Sequence, residues 1–455
     1  MSQPEAVALE EADELGSSAS QSGKRVSSAA AVAQSIVTKL AIIALNAITG
    51  ILSARSLMPS GRGALSALAL WPVFLGSALT FGIPSAFTYQ ARRHPQQRAE
   101  LLGTALLIGM LTGVLGAVIG AIFLPYWIPQ YTPNTIFWAR IFVLACPLQS
   151  LALIGRNALE STDDFTTSNK TLVVAPALTA VVLLLLIALH GMTAVTAAAA
   201  YVCVGVLPLC WMAGQLRRIF KPRLTNVAAS AAMLLRYGLT SYGVDLCGAM
   251  ALYVDQALVV RILAPELMGT YVVALSVSRM LNVFHTSVVM VLFPRAVGQS
   301  PNTVRQMTGT AARVSTLATA VAGLCIMLVG PQVLTLLYSA QYRSAGPALR
   351  VLVVEVVLAG ATTVLSQAFM ALGRPGIVTL LQLLGLVCTV PMVLLLTPRY
   401  GIAGASLALL LSTCLRLILV LASFPLFLKL PIPQLMPTGA DLQTLRRMVR
   451  QQLSR

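Results

Sequence analysis

Charged side chains are scarce in this chain. Only 10% of its 455 residues are Asp, Glu, Lys or Arg, whereas soluble proteins carry about 25%. Hydrophobic residues make up 57% of the sequence. They recur in runs close to the roughly 20 residues that a helix needs to cross the hydrocarbon core of a bilayer. This composition excludes an ordinary soluble protein and predicts a polytopic, all-α membrane protein.

Groups typical of metal and catalytic sites are also few. The three histidines (His94, His190 and His285) lie far apart, without metal-ligand spacing, and the seven cysteines form no CxxC pair. The connections between the apolar runs are too short to hold a soluble catalytic domain. We therefore expect no enzymatic activity, no metal site and no cofactor other than a transported proton or sodium ion.

Acidic residues are outnumbered by basic ones, 14 against 31, which gives a formal net charge of +17. The basic residues are spread over short loops rather than clustered on a soluble module, so no nucleic-acid partner is expected. If the N-terminus is cytoplasmic, 19 basic residues fall in inner tails and loops and 5 in outer loops. The positive-inside rule then predicts that both termini lie in the cytoplasm.

The apolar runs predict twelve transmembrane spans in two halves. The predicted spans are 29–52, 65–89, 101–124, 137–155, 171–190, 195–213, 235–258, 270–293, 307–329, 347–370, 377–397 and 402–424. The predicted divisions are a disordered cytoplasmic tail (1–28), a six-helix half (29–213), a cytoplasmic linker (214–234), a second six-helix half (235–424) and a cytoplasmic tail (425–455). Residues 440–455 of that last tail have the pattern of a basic amphipathic helix.

A short repeat relates the two halves. Residues 55–63 (RSLMPSGRG) align without gaps on residues 261–269 (RILAPELMG), and each copy follows the first span of its half. The identical positions are Arg55 and Arg261, Leu57 and Leu263, Pro59 and Pro265, and Gly63 and Gly269. This pattern is typical of transporters built from two structural repeats. We expect Asp255 and Arg261, which flank the second turn, to fix the end of their helix.

Ionisable side chains inside the membrane are the candidate functional residues. Each costs about 2.5–3.5 kcal/mol on insertion scales and so faces a cavity or a partner. The predicted spans contain seven basic residues but only three acids, so an anionic substrate is expected to neutralise the excess. The basic residues are Lys39, Arg140, Arg236, Arg279, Arg313, Arg350 and Arg416. Of these, we predict that Lys39, Arg279, Arg313 and Arg416 bind substrate. The guanidinium groups of the three arginines suit phosphate, and Lys39 lies near mid-depth in its predicted span.

The acids within the spans are Asp245, Asp255 and Glu355. Asp245 lies closest to the middle of its predicted span. It is either a proton or sodium site that couples transport or the structural ion-pair partner of Arg279. Glu355 is the second candidate for ion coupling.

Several motifs resemble those of a known family. They are ARSLMPSGRGALSALAL after the first span, YVDQALVVRILAPELMGTYVVALSV after the seventh, LLYSAQYRSAGPALRVL, ALGRP and RYGIAGASLALLLS. The chain resembles polysaccharide-export flippases of the O-antigen type, in the multidrug/oligosaccharidyl-lipid/polysaccharide (MOP) superfamily. The resemblance implies two six-helix bundles in a V that work by alternating access. It also implies that they move an undecaprenyl-diphosphate-linked oligosaccharide from the inner to the outer leaflet of the bacterial inner membrane, commonly coupled to proton or sodium entry. The implied partners are this lipid-linked cargo, membrane lipids, a polysaccharide polymerase and glycosyltransferases.

Three other functions compete with this interpretation. Lipid II flippases of the same superfamily usually have fourteen spans, and twelve are predicted here. Drug/cation antiporters have twelve, but a positively charged cavity would repel cationic drugs. A membrane-embedded polymerase or ligase acting on the same lipid-linked sugar needs a large outer loop, and the sequence has none.

Overall fold

The structure is a computed structural model that describes residues 3–162 and 164–434. Within these ranges it contains no β-strand, which confirms the all-α prediction. The predicted amphipathic helix at 440–455 lies outside the described residues. The first helix begins at Gln3, within the segment 1–28 for which the composition predicts a disordered tail.

The described residues form fourteen α-helices, joined by short turns and brief 3-10 or π segments. The first half of the chain contains α1 (Gln3–Ala78), α2 (Ile83–Arg93), α3 (Arg98–Trp127), α4 (Pro133–Phe142), α5 (Cys146–Ser161), α6 (Phe165–Ala188), α7 (Ala194–Cys203) and α8 (Val206–Phe220). The second half contains α9 (Val227–Ile262), α10 (Pro265–Arg279), α11 (Asn282–Ala296), α12 (Pro301–Val333), α13 (Gly346–Ala371) and α14 (Pro375–Ser423).

Nine helical stretches in the described part of the chain are long and apolar enough to cross a membrane, and the bent pair α10 and α11 adds a tenth. Two of the ten contain a backbone break, at Met58 in α1 and at Gly401 in α14. The residue before a proline avoids helical geometry, which explains the break between Met58 and Pro59. Glycine readily adopts the positive φ of 57° found at Gly401. Counting the two arms of α1 and of α14 separately gives the twelve predicted spans.

The linker between the halves is shorter than predicted. Helix α8 continues to Phe220 and α9 begins at Val227, so helix extends into both ends of the predicted 214–234 linker. We call the end of the bundle that carries this linker the linker end. The opposite end carries the turns at Pro59 and Pro265, and we call it the turn end.

The hydrophobic core is continuous at one end of the molecule and divided at the other. One large cluster joins both halves towards the turn end and includes Leu65, Tyr271 and Tyr342. At the linker end two separate clusters occur. One surrounds Phe87 in the first half and also includes Leu234 of α9, and the other surrounds Phe369 in the second half. The core is therefore continuous at the turn end and split into two clusters at the linker end.

Candidate functional site

The two copies of the sequence repeat touch each other at the turn end. A Cβ atom on Gly63 would lie 2.6 Å from the carbonyl carbon of Pro265, and one on Gly269 would lie 2.9 Å from that of Pro59. Each glycine is buried and packs against the proline carbonyl of the other copy. The repeat that relates the halves in sequence thus forms a reciprocal, near-twofold contact between them in space.

Hydrogen bonds from the end of α3 reinforce this contact. The indole Nε1 of Trp127 donates to the Ala257 carbonyl at 2.8 Å, and Gln130 Nε2 donates to the Val260 carbonyl. Arg261 donates to the Tyr126 carbonyl at 3.2 Å, and its guanidinium lies 4.8 Å from the centroid of the Trp127 ring. Arg261 therefore joins the halves rather than pairing with Asp255. Its repeat counterpart Arg55 is exposed.

A polar cavity of about 270 Å³ lies inside the second half, between α9, α10, α11, α13 and α14. Arg279 Nη2 lies 2.9 Å from Asp255 Oδ2, which is an ion pair across the turn between α9 and α10. Asp255 is only 3% exposed and also accepts a hydrogen bond from the Tyr271 hydroxyl at 3.4 Å. The alternative pairing of Arg279 with Asp245 is therefore not formed.

The far wall of this cavity carries the second acid and a second arginine. Glu355 Oε1 accepts a hydrogen bond from the Thr413 hydroxyl at 2.8 Å, and Arg416 lies one helical turn after Thr413. In the described structure Asp255 Oδ1, His285 Nδ1 and Arg416 Nε are buried without a hydrogen-bond partner, and all three residues line the cavity. Leaving a buried polar atom unpaired costs about 1–3 kcal/mol. The cavity therefore suits a small polar or charged guest.

Arg279 also faces a second space, of about 230 Å³, between the two halves. This space is bordered by Asn46 on the first arm of α1 and by Met280 and Tyr338 of the second half. The Arg279 side chain is 33% exposed. Its guanidinium is thus anchored on Asp255 and remains accessible between the halves.

The remaining predicted site residues lie elsewhere. Lys39 Nζ is 3.3 Å from Met290 Sδ, so it touches α11 across the boundary between the halves. Asp245 accepts hydrogen bonds of 3.1 and 3.0 Å from the Ser85 hydroxyl on α2, which also joins the halves. Arg313 donates to the Gln434 carbonyl at 2.7 Å on the outside of α12. Of the four predicted substrate-binding cations, only Arg279 and Arg416 share a cavity.

Sequence reasoning missed several polar residues of this cavity, His285 and Thr413 among them. His285 was dismissed because it has no metal-ligand partner, and Thr413 was not considered. The STCLR stretch at 412–416 places three polar side chains within one and a half turns of an otherwise apolar helix. That local concentration is the signal that predicts a polar lining.

Comparisons with known proteins agree with this architecture. A family model described as "Polysaccharide biosynthesis protein" matches residues 52–347, which is more than half of the chain. No curated protein matches the sequence significantly.

Among solved structures, "Lipid II flippase MurJ, inward closed conformation" superposes with a TM-score of 0.74 at 12% identity, over 85% of this chain and 86% of that one. An inward-facing multidrug resistance MATE family transporter gives 0.66 at 18% identity, over 85% and 96%. A MOP superfamily transporter from Pyrococcus furiosus, titled for the reverse polarity of its binding pocket, gives 0.60 at 16% identity, over 86% and 93%. The chain is therefore a multi-pass membrane protein with the fold of MOP-superfamily transporters, and it belongs to the polysaccharide biosynthesis protein family.

Proposed function

We propose that this protein is a flippase that moves an undecaprenyl-diphosphate-linked oligosaccharide across the bacterial inner membrane for cell-surface polysaccharide assembly. It works by alternating access between its two halves, with the linker end in the cytoplasm. The charge bias of the loops supports this orientation. Membership of a polysaccharide biosynthesis family supports a glycan cargo. A structural neighbour titled as a lipid II flippase supports a lipid-linked one.

The observation that carries the proposal is the difference between the two ends of the molecule. A continuous core and the reciprocal contact of Gly63 and Gly269 hold the turn end together, whereas at the linker end the core is split into two clusters and the halves meet where α2 crosses α9. In this carrier, cargo enters from the linker end when the contact between α2 and α9 separates. Separation of the glycine contact then releases the cargo at the turn end.

Arg279 is the strongest candidate for cargo recognition. Its guanidinium is held by Asp255, and its side chain, one-third exposed, borders the space between the halves. A planar guanidinium binds a diphosphate with two parallel hydrogen bonds, which lysine cannot reproduce. Lys39 also lies at the boundary between the halves. Arg416 and Arg313 are less suited, since Arg416 lies within the second half and Arg313 is engaged with Gln434.

Ion coupling is best supported at the polar cavity of the second half. An ion drives transport only if it binds the two states differently. A proton or sodium ion at Glu355 or at the free oxygen of Asp255 alters the charge that holds Arg279, and so links ion binding to cargo binding. Asp245 is the second candidate. Its hydrogen bond to Ser85 joins the halves, which suits a residue that fastens one state.

A drug/cation antiporter is the second candidate function, because one of the structural neighbours is titled as a multidrug resistance MATE family transporter. The two functions require opposite electrostatics in the space between the halves. Arg279 favours an anionic cargo there. A polysaccharide polymerase or ligase remains a third alternative, without a supporting observation.

The test compares two arginine substitutions in cells that lack the native protein. Arg279→Ala should lower surface polysaccharide about tenfold or more, the effect of losing a charge-assisted contact with phosphate, and the lipid-linked precursor should accumulate. Arg279→Lys should restore only part of the output. Arg313→Ala is the matched control, because it removes an equivalent charge outside the cavities. Full output from Arg279→Ala at normal abundance would disprove the proposed role of this residue.

A further inference from the structure

A pair of stacked tyrosines joins the two halves at the linker end. The rings of Tyr89, on α2, and Tyr237, on α9, lie nearly parallel, with centroids 4.2 Å apart and an interplanar angle of 9°. Their helices approach closely because both backbones carry glycine at the crossing. A Cβ atom on Gly238 would lie 2.7 Å from the Phe81 carbonyl oxygen, next to Gly82, whose φ is +72°. Close backbone packing at this crossing therefore brings the two tyrosine rings together.

Arginines surround the stacked rings. Clefts of about 570 and 660 Å³ share Tyr89, Arg93 and Tyr237 in their walls; Arg236 lines the smaller cleft and Arg92 the larger. Arg93 donates to the Tyr89 hydroxyl at 3.0 Å, which ties its guanidinium to the ring. Arg92, Arg93 and Arg236 are exposed.

No Asp or Glu of the described chain lines either cleft. Two of the described acids nearby are engaged elsewhere: Asp245 accepts from Ser85, and the Glu160 carboxylate accepts from Ser168 at 2.7 Å. Basic residues at this end are expected from the membrane topology alone. Topology does not account for an aromatic stack shared by both halves with Arg93 and Arg236 beside it, in clefts that no described carboxylate lines.

We propose that the two clefts beside the stacked tyrosines form one cleft region, the first docking site of the cargo. Arg93 and Arg236 bind the diphosphate of the cargo there, and the outer faces of Tyr89 and Tyr237 pack against its sugar rings. The proposal rests on the flippase function proposed above. Guanidinium groups bind phosphate oxygens bidentately, and aromatic faces cover the apolar faces of sugars. Because Tyr89 and Tyr237 belong to different halves, cargo seated here contacts both moving parts. Bulk anionic phospholipid carries the same phosphate chemistry and is the competing ligand.

The experiment measures binding to the purified full-length protein in nanodiscs of neutral lipid, with a short polyprenyl diphosphate as the probe. The double change Arg93→Gln and Arg236→Gln keeps side-chain size and should weaken binding about tenfold or more. Arg295→Gln is the matched control, because it removes an exposed charge at the same end outside the clefts, and it should leave binding unchanged.

Tyr237→Ala should reduce the preference for a glycan-bearing diphosphate over the bare one. Each variant is first checked for monodisperse elution, and Arg93→Lys with Arg236→Lys provides a milder double change that keeps both charges.

Three results would overturn the proposal. Equal losses in the double variant and in Arg295→Gln would mean that general surface charge binds the probe. Unchanged affinity in a well-folded double variant would remove the site. A double variant that loses only phosphatidylglycerol, measured in a parallel titration, would assign the cleft to bulk lipid. If the cleft variants lose polyprenyl diphosphate but the wild-type protein transports no lipid-linked glycan, the docking site stands and the flippase function fails.

Discussion

Replacing Gly63 or Gly269 by alanine should prevent the turn end from closing. The added methyl group would lie 2.6 Å from the carbonyl carbon of Pro265 in the first variant and 2.9 Å from that of Pro59 in the second. Both obstacles are backbone atoms, so no flexible side chain can move aside. The two turns must therefore separate.

The magnitude follows from the cost of overpacking. Forcing an extra methyl group into a packed contact costs about 1–3 kcal/mol, and each 1.4 kcal/mol changes an equilibrium constant about tenfold. Either variant should shift the balance between closed and open turn ends by roughly 5- to 150-fold towards open. Since both glycines act on one contact, the free-energy change in the double variant should be smaller than the sum of the two single free-energy changes.

Pulsed electron paramagnetic resonance is the assay. Spin labels at Ser56 and Glu266, both exposed at the turn end, are introduced into a protein whose native cysteines have been replaced. Gly63→Ala and Gly269→Ala should add a longer component to the distance distribution. Gly50→Ala is the matched control, since a Cβ atom there meets nothing within 4 Å. Identical distributions in the wild type and both variants would refute the closed contact.

Three further predictions concern coupling and orientation. Glu355→Gln should abolish stimulation of transport by a proton or sodium gradient while leaving cargo binding intact, and gradient-stimulated transport by this variant would remove Glu355 from the coupling site. Asp245→Asn retains an acceptor for Ser85, so it should preserve abundance and gradient dependence more fully than Glu355→Gln; loss of gradient dependence only in Asp245→Asn would reverse the assignment. In the same cysteine-free background, an impermeant thiol reagent outside the cell should label single cysteines at positions 130 and 340 but not at 220; labelling at 220 would invert the proposed topology.

The sequence predicted the helical class and the number of spans because each depends on local properties. Apolar runs of membrane-crossing length fix the spans, and the Met58–Pro59 break follows from proline sterics. The repeat predicted that the halves are related. It did not predict that Gly63 and Gly269 pack against each other's turn, because the contact depends on how the halves assemble.

The ion pair and the polar cavity also depend on assembly. Asp255 and Arg279 are 24 residues apart, and the sharp turn between α9 and α10 brings them together. Residue spacing along single helices does not show this pairing, so the sequence left Asp245 open as the ion-pair partner of Arg279. Helix α12, which carries Arg313, begins at Pro301, six residues before its predicted span. The contact of Arg313 with Gln434 follows from the path of the chain after α14.

The most direct test of the flippase function is translocation by the purified protein in proteoliposomes. The vesicles carry an undecaprenyl-diphosphate-linked oligosaccharide. An impermeant glycosidase added outside first digests the glycan in the outer leaflet, which is the accessible pool. Glycan that later becomes sensitive to the enzyme has moved to the outer leaflet. We predict that the wild-type protein renews the accessible pool far faster than protein-free vesicles do, and that Arg279→Ala does not. Renewal no faster than in protein-free vesicles, together with gradient-driven uptake of a cationic dye by the same preparation, would contradict the flippase function and identify a cation antiporter.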